Sequence, residues 1–370
     1  MRILGALTLI FALLAVGLAP AMVGAQTTSD REATQSAEDA ARQYLDLAIR
    51  GDYNTLFDYL HPDVLDVAPR SVALKLFEQI YAATNPGPAT IEGVQLGAYT
   101  WPVNGKTYDD AAQVSYSQEF TDKNGQRQTL HTTMYLVPFQ GRYRWFFGNS
   151  RAYIAEAIAR YAPPPPPEQP TDIDALLKLV VNDLDGFYRI SFQASGEPYQ
   201  SPGVTVIDAG RGAMTGCGLA QSGFWAFYCP VDGVVYLDKP FLSDLAQRYG
   251  DFAVAYVIGH EWAHHVQTLL GIERTYTPQR VNQVYSIEME LQADCLAGVW
   301  SRDLDARDFL DLNDLAEASS FIFDTLGDPA GVGPFDPQAH GTSDERLDAF
   351  SDGYDGGFVG CQVSGLSPVR

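Results

Sequence analysis

The sequence predicts an α+β protein of two domains, and three observations carry that prediction. Five consecutive prolines, Pro163 to Pro167, interrupt the chain inside Tyr161-Ala-Pro-Pro-Pro-Pro-Pro-Glu-Gln-Pro170. Such a run enforces an extended polyproline II strut that a packed core cannot accommodate. Before it, apolar residues recur first at helical spacing and then at period two. After it come long proline-free stretches with the spacing of buried helices. The boundaries follow: residues 1–25, 26–161, a linker over 162–171, and 172–370.

The chain has 370 residues, of which 46% are hydrophobic and 12% aromatic, so wholesale disorder is excluded. Its net charge of −22 argues against nucleic acid or an anionic membrane as a partner of the surface as a whole. Residues 1–25 have the make-up of a secretory signal: Arg2, an apolar run from Ile3 to Ala19, Pro20, and Val23-Gly24-Ala25 before the expected cleavage. An uncleaved anchor is the rival reading and would keep the protein at the cell envelope. With cleavage, the protein is secreted or extracytoplasmic and has no stable membrane insertion. Four cysteines suit an oxidising compartment. Four cysteines allow three pairings, of which Cys217–Cys229, closing a short loop, with Cys295–Cys361 left by elimination, is the favoured one; no C-x-x-C spacing supports a zinc knuckle.

In the first domain, Ala37, Ala40, Ala41, Tyr44, Leu45 and Ala48 form one helical face, with Ser36 as the expected N-cap. A short helix carrying Leu56, Phe57 and Leu60 follows, then one from Pro69 to about Ala83 with Val72, Leu76, Phe77 and Ile80 inward. Val114, Tyr116 and Phe120 alternate up to a turn at Asn124-Gly125. A strand from Gln126 to Phe139 and a third with Tyr143, Trp145 and Phe147 complete an antiparallel meander. The order, with Tyr44-Leu-Asp-Leu-Ala-Ile-Arg-Gly-Asp-Tyr53 and Leu60-His61-Pro62, resembles the cone-shaped nuclear-transport-factor-two-like superfamily over residues 35–160. The resemblance implies helices laid on a curved sheet, with room for a ligand between them. No acid–base constellation appears here. His61 is read as a surface or capping residue and His131 as structural, which makes this a binding or spacing module with its own ligand or partner.

The second domain carries the chemistry. From Gly250 to Gly271 no proline occurs, so a helix of about 20 residues fits. It contains His260-Glu261-Trp-Ala-His264. Residues four apart differ by about 40° around a helix, so His260 and His264 present both imidazoles to one ion. Zinc accepts neutral imidazole and, with three protein ligands, keeps a position for water. Glu261, about 100° away, sits beside such an ion as a general base. A metzincin would need His at 270 and Gly at 267, where Leu270 and Gln267 stand. The third ligand is therefore sought on a second helix, opened by Thr277-Pro278 and carrying Glu288, Glu290 and Asp294. Glu290 and Asp294 share a face, which gives Glu290 as ligand and Asp294 as the carboxylate behind a ligand histidine. His265, about 140° from His260, is packing; Trp262, Val266 and Leu269 are core; Val234 to Asp238 is a candidate strand for docking extended peptide at its edge.

His260-Glu-Trp-Ala-His-His-Val-Gln267 with Glu290-Leu-Gln-Ala-Asp-Cys-Leu-Ala-Gly-Val-Trp300 resembles the bacterial "putative neutral zinc metallopeptidase" family, a small gluzincin type. Phe227-Tyr-Cys-Pro230, Val235-Tyr-Leu-Asp238, Gly250-Asp-Phe-Ala253, and His340-Gly-Thr-Ser343 with Arg346, Phe350 and Gly353-Tyr354 extend the match over about residues 172–370. It implies a compact zincin domain with a short sheet on the active-site helix, and Zn²⁺-dependent hydrolysis of a peptide or protein substrate. His340, ahead of a Thr342-x-x-Glu345 capping box, is a candidate for stabilising the oxyanion, with a purely structural role equally open. An extracytoplasmic binding protein with a structural or inert zinc site is the competing function.

Overall fold

A computed structural model of the chain describes residues 28–122, 125–162, 172–209, 212–221, 223–272, 286–333, 336, 339–363 and 366. The expected signal segment, most of the proline strut, Asn124 and the Thr277-Pro278 helix start lie outside these residues. The fold is α+β, with antiparallel sheets and a mainly helical C-terminal region, and it divides into two compact units, Met1–Ala162 and Pro163–Arg370.

The first unit runs α1 (Thr28–Ile49), α2 (Tyr53–Asp58), α3 (Pro62–Val67), α4 (Arg70–Thr84), β1 (Ala89–Thr100), β2 (Thr107–Thr121), β3 (Arg127–Phe139), β4 (Arg142–Trp145) and α5 (Arg151–Tyr161). Ala37, Ala41, Tyr44, Leu45 and Ala48 are buried, but Ser36 lies inside α1 rather than capping it. The residues before it (Glu32, Ala33, Gln35) are good helix formers, and exposed Ser36 gives the chain no reason to start late. The four strands pair β1-β2-β3-β4, all antiparallel, and β1 carries two register shifts, which add local twist. His61 caps α3, accepting from the Asp63 N–H at 3.2 Å, but it is buried among Tyr108, Phe139 and Phe146 rather than at the surface. That burial lowers its pKa. His131 is exposed and pairs with Glu92 at 2.8 Å. Between α4 and the sheet lies a cavity of about 240 Å³ whose walls include Leu76, Tyr81, Tyr116, Tyr135 and Trp145.

The second unit begins with α6 (Ile173–Ser195), started by an Asp172 cap and stopped by Gly196 in the left-handed region. A three-stranded sheet follows from β5 (Gly203–Ile207), β8 (Ala226–Cys229) and β9 (Val234–Asp238), with a separate hairpin of β6 (Ala213–Thr215) and β7 (Gly218–Ala220). The sheet order is β5-β9-β8, so Val234–Asp238 is the central strand and has no free edge. This corrects the sequence expectation. Buried Val235, Tyr236, Leu237 and Asp238 have the near-continuous burial of a strand paired on both sides, and β8 is the edge strand nearest the helix over Asp251–Leu269.

Among the described residues, five helices complete the unit: α7 (Lys239–Tyr249), α8 (Asp251–Leu269), α9 (Ser286–Ala306), α10 (Leu312–Thr325) and α11 (Ser343–Gly360). Gly250 turns the chain between α7 and α8 at φ 103°, a conformation that suits glycine. A Cβ there would also lie 2.0 Å from the Glu317 carboxyl carbon. Glu317 accepts the Phe252 N–H at 3.0 Å, capping α8 where Gly250 has no side chain to do so. Helix α8 is buried on nearly every side; Trp262 and Val266 are core as expected, while Leu269 is only half-buried. Both expected disulfides are present, Cys217–Cys229 and Cys295–Cys361. Among the described residues, no helix is long and apolar enough to cross a membrane.

Candidate metal centre

Helix α8 puts His260 and His264 one turn apart with ring centroids 4.8 Å from each other. Helix α9 packs beside it and delivers Glu290, whose Oε2 is 3.2 Å from His260 Nε2 and whose Oε1 is 3.6 Å from His264 Nε2. One ligand atom from each of the three lies within 4.8 Å of the others. Glu288, two residues earlier, is exposed and takes no part.

Each ring is held from behind. Asp294 Oδ1 lies 2.7 Å from His260 Nδ1. An ionised carboxylate can only accept, so Nδ1 carries a proton and Nε2, the nitrogen left for a metal, faces Glu290. His264 Nδ1 lies 2.8 Å from Gln267 Oε1, and the Gln267 amide N–H₂ donates to Met289 O at 2.9 Å and to Gln292 Oε1 at 3.1 Å. That anchoring orients the Gln267 oxygen towards His264 and fixes the same tautomer. Asp294 is fully buried, and its charge is answered by Arg346 from α11, with Nε to Oδ2 and Nη2 to Oδ1 both at 2.8 Å. The Tyr256 hydroxyl donates to Asp294 as well.

Charge therefore accumulates in a defined pattern. Burial would raise the Asp294 carboxyl, but Arg346 and His260 hold it well below the usual carboxylate range. Glu290 is likewise pulled down to about 2 against its burial, by His264, His260 and Arg346. Burial opposes a charged His260, yet Asp294 and Glu290 lift its pKa to about 10. The space between the rings has the potential of a cation site.

Glu261 is not one of the three grouped donors. It lines the same cleft of about 500 Å³, beside the edge strand, where it accepts the Tyr228 N–H at 2.8 Å through Oε2. His265 faces away from the centre and bonds Tyr228 Oη and Gln200 O at 3.1 and 2.7 Å, so it is packing. His340 borders the cleft with its side chain half-exposed, and its backbone N–H donates to Asp328 at 2.7 Å. The Thr342–Glu345 capping box behind it is formed.

Three contributors escaped the sequence reading. Tyr256, one turn before His260, had a periodicity signal; Gln267, one turn after His264, had the same. Arg346 belongs to the residues that carry the family resemblance, but its pairing with Asp294 has no local signal, because 52 residues separate the two and only the packing of α11 on α9 brings them together. A second acidic group, Asp251, Asp314 and Glu317, contains no imidazole, and its Glu317 is engaged in capping α8.

Comparison with known proteins gives a family for the chain. Residues 150–363 match the family described as "putative neutral zinc metallopeptidase", and the chain belongs to that family. It is 41% identical over 182 residues to the uncharacterized protein YpfJ of Escherichia coli, which covers 45% of this chain and 62% of that one. It is 34% identical over 163 residues to the uncharacterized protein Rv2575 of Mycobacterium tuberculosis, covering 39% and 56%. The chain thus spans about three-fifths of the length of these curated relatives. No solved structure matches it.

Proposed function

We propose that the second unit is a gluzincin-type zinc peptidase, with His260, His264 and Glu290 as metal ligands, Asp294 orienting His260, and Glu261 as general base. The observation that supports this best is the convergence of two Nε2 atoms, each on a ring hydrogen-bonded from behind, and one carboxylate, beside a carboxylate that is not grouped with them. Nitrogen and oxygen donors in this number suit zinc, and a cleft on the open side suits a catalytic rather than a closed structural site. Zinc bound there supplies Lewis acidity and brings the pKa of water down to about 7.

The chain's own residues do the rest. Tyr228 N–H holds one oxygen of Glu261, leaving the other to take a proton from the attacking water and pass it to the leaving amine. β8 is an edge strand of its sheet and lines the cleft, where an extended peptide can lie beside it. His340, at the rim, is placed for the oxyanion only if it swings inward from Asp328.

Two disulfides fit an oxidising compartment, and the reading includes export, either secreted or held at the envelope. The first unit, with its aromatic-walled cavity, is the ligand-binding or spacing module, of nuclear-transport-factor-two-like type. The test is metal analysis and cleavage of an unfolded protein, wild type against Glu261→Gln. One zinc per chain in both, with cleavage reduced at least about 100-fold in the variant, supports the proposal. Zinc in both and cleavage by neither gives the site to a non-catalytic binding protein.

A further inference from the structure

The cavity of the first unit is bordered by hydrogen-bonding groups that the protein itself leaves unused. Period-two alternation along β2 puts Tyr116 and Gln118 on the face of the sheet that borders this space, where their register partners are Thr132 and Leu130 of β3. From the helices, α4 supplies Tyr81 and α5 supplies Tyr153. Polar atoms buried in such a place normally find partners within the protein. Here they do not. Gln118 is 7% exposed, and its Nε2 donates to Gly87 O at 2.9 Å, which holds the amide and leaves Oε1 without a partner among the described residues. Tyr153 is 5% exposed, and its hydroxyl, like those of Tyr81 and Tyr116, bonds nothing among the described residues.

Phenylalanine would fill the same walls without those hydroxyls, so packing alone gives no reason for them. Burial raises all three phenols, Tyr116 to about 12, which keeps them protonated and able to donate. Two further features define what complements this arrangement. Among the described residues no acidic, basic or imidazole side chain lines the cavity, so a charged molecule would lose its water there with nothing to answer its charge. The volume of about 240 Å³ is that of roughly eight waters at about 30 Å³ each, enough for a compact two-ring skeleton. The walls suit a flat ring, since they include Tyr99 stacked on Tyr135 at 3.9 Å.

We propose that this cavity binds an uncharged two-ring aromatic molecule bearing a hydroxyl group, whose oxygen accepts from the phenols of Tyr81, Tyr116 and Tyr153 and whose proton goes to Gln118 Oε1. A hydroxyl is the group that uses both kinds of unspent atom at once, because it donates and accepts. This rests on the ligand-binding reading of the first unit and names its ligand class; it is independent of the metal centre in the second.

The experiment is equilibrium dialysis of the full chain, near neutral pH, against naphthalene, 2-naphthol and 2-naphthoate, which hold the ring constant and change only the polar group. 2-Naphthol, uncharged under these conditions, is expected to bind with a Kd on the order of 10 µM. Naphthalene should bind about fivefold or more weaker for want of the hydrogen bonds, and 2-naphthoate about 100-fold weaker because its charge is unanswered. The triple variant Tyr81→Phe/Tyr116→Phe/Tyr153→Phe keeps every ring and deletes only the hydroxyls, so the preference for 2-naphthol over naphthalene should fall towards one while naphthalene still binds. Leu130→Trp fills the space and should abolish binding of both. A preference unchanged in the triple variant, 2-naphthol binding that survives Leu130→Trp in folded protein, or tightest binding of 2-naphthoate overturns the site. Naphthalene bound as tightly as 2-naphthol by the wild type overturns the hydroxyl-bearing class while leaving the first unit a ligand-binding module. A Kd above about 1 mM for all three probes removes the class and the ligand-binding reading together.

Discussion

Arg346→Met isolates the most buried electrostatic element of the site. Arg346 is 4% exposed and Asp294 0%, and two 2.8 Å hydrogen bonds join them. Removing one partner of a buried ion pair costs about 3–5 kcal/mol, because the other charge is left uncompensated. Asp294 would keep His260 Nδ1 at 2.7 Å and the Tyr256 hydroxyl, which places the loss near the lower end, about 3 kcal/mol. For a unit of this size each kcal/mol moves Tm by about 2–4 °C, so a fall of about 6–12 °C is expected. Zinc affinity, measured well below the melt by competition with a chromophoric chelator, should drop about 10- to 100-fold as His260 loses its fixed backing. Since zinc bound only to the folded state raises Tm by itself, melts are compared in chelator and in zinc. The double variant Asp294→Leu/Arg346→Met separates the two effects: apolar replacement of the pair restores most of the stability but not the zinc affinity. A single variant that melts within about 2 °C of wild type and binds zinc equally well would refute the reasoning.

Three further outcomes follow from the same packing. Glu290 is held at about 2 against an ordinary 4.5, so its stabilising contribution is complete above pH 4.5 and is lost as pH falls through about 2; in chelator-treated protein, Tm should fall across that window, and Glu290→Gln should flatten the fall. Replacing Cys295 and Cys361 by Ala releases a loop with a sequence separation of 66, worth about 4 kcal/mol in the chain-entropy model, against about 3 kcal/mol for the separation of 12 between Cys217 and Cys229; thermal melts should rank the two double variants in that order. Gly353→Ala would put a Cβ 1.8 Å from Cys295 O, so overpacking of about 3 kcal/mol or more is expected, with zinc affinity falling alongside Tm; unchanged zinc binding would mean that α11 does not brace the site.

Local periodicity accounts for what was readable in advance. His260, His264, Glu290 and Asp294 were placed because one turn of helix relates each pair, and Glu288 was rejected on the same arithmetic. The strands of the first unit were legible where residues alternate, as at Val114 and Tyr116, but β1 was missed: its bulges at Ile91/Gly93 and Gly97/Tyr99 break the alternation. Helix α6 lies outside the expected elements although Leu177, Val180, Leu184 and Tyr188 keep helical spacing. The expected free edge falls on a different strand for a deeper reason. Which of two neighbouring apolar strands is central depends on β5 pairing parallel to β9 across 26 intervening residues, and no local pattern encodes that.

Arg346 belongs to this second kind of information, and its placement rests on a feature that only the assembled helices reveal. Helices α9 and α11 approach so closely that Gly298 and Gly353 are each hemmed in by the other helix's backbone: a Cβ would lie 2.1 Å from Phe350 O in one case and 1.8 Å from Cys295 O in the other. The Cys295–Cys361 bridge ties the same two helices. An arginine has many rotamers, and a buried carboxylate pair gains only when the geometry is held closely enough for both hydrogen bonds. Close backbone contact through two glycines, locked by a covalent tie, fixes the distance between Asp294 and Arg346 to that tolerance. The histidine that Asp294 orients then inherits the precision. The proposed metal ligands lie on α8 and α9, but the rigidity that would let them share one ion originates in α11, through Gly353 and the Cys361 that caps it.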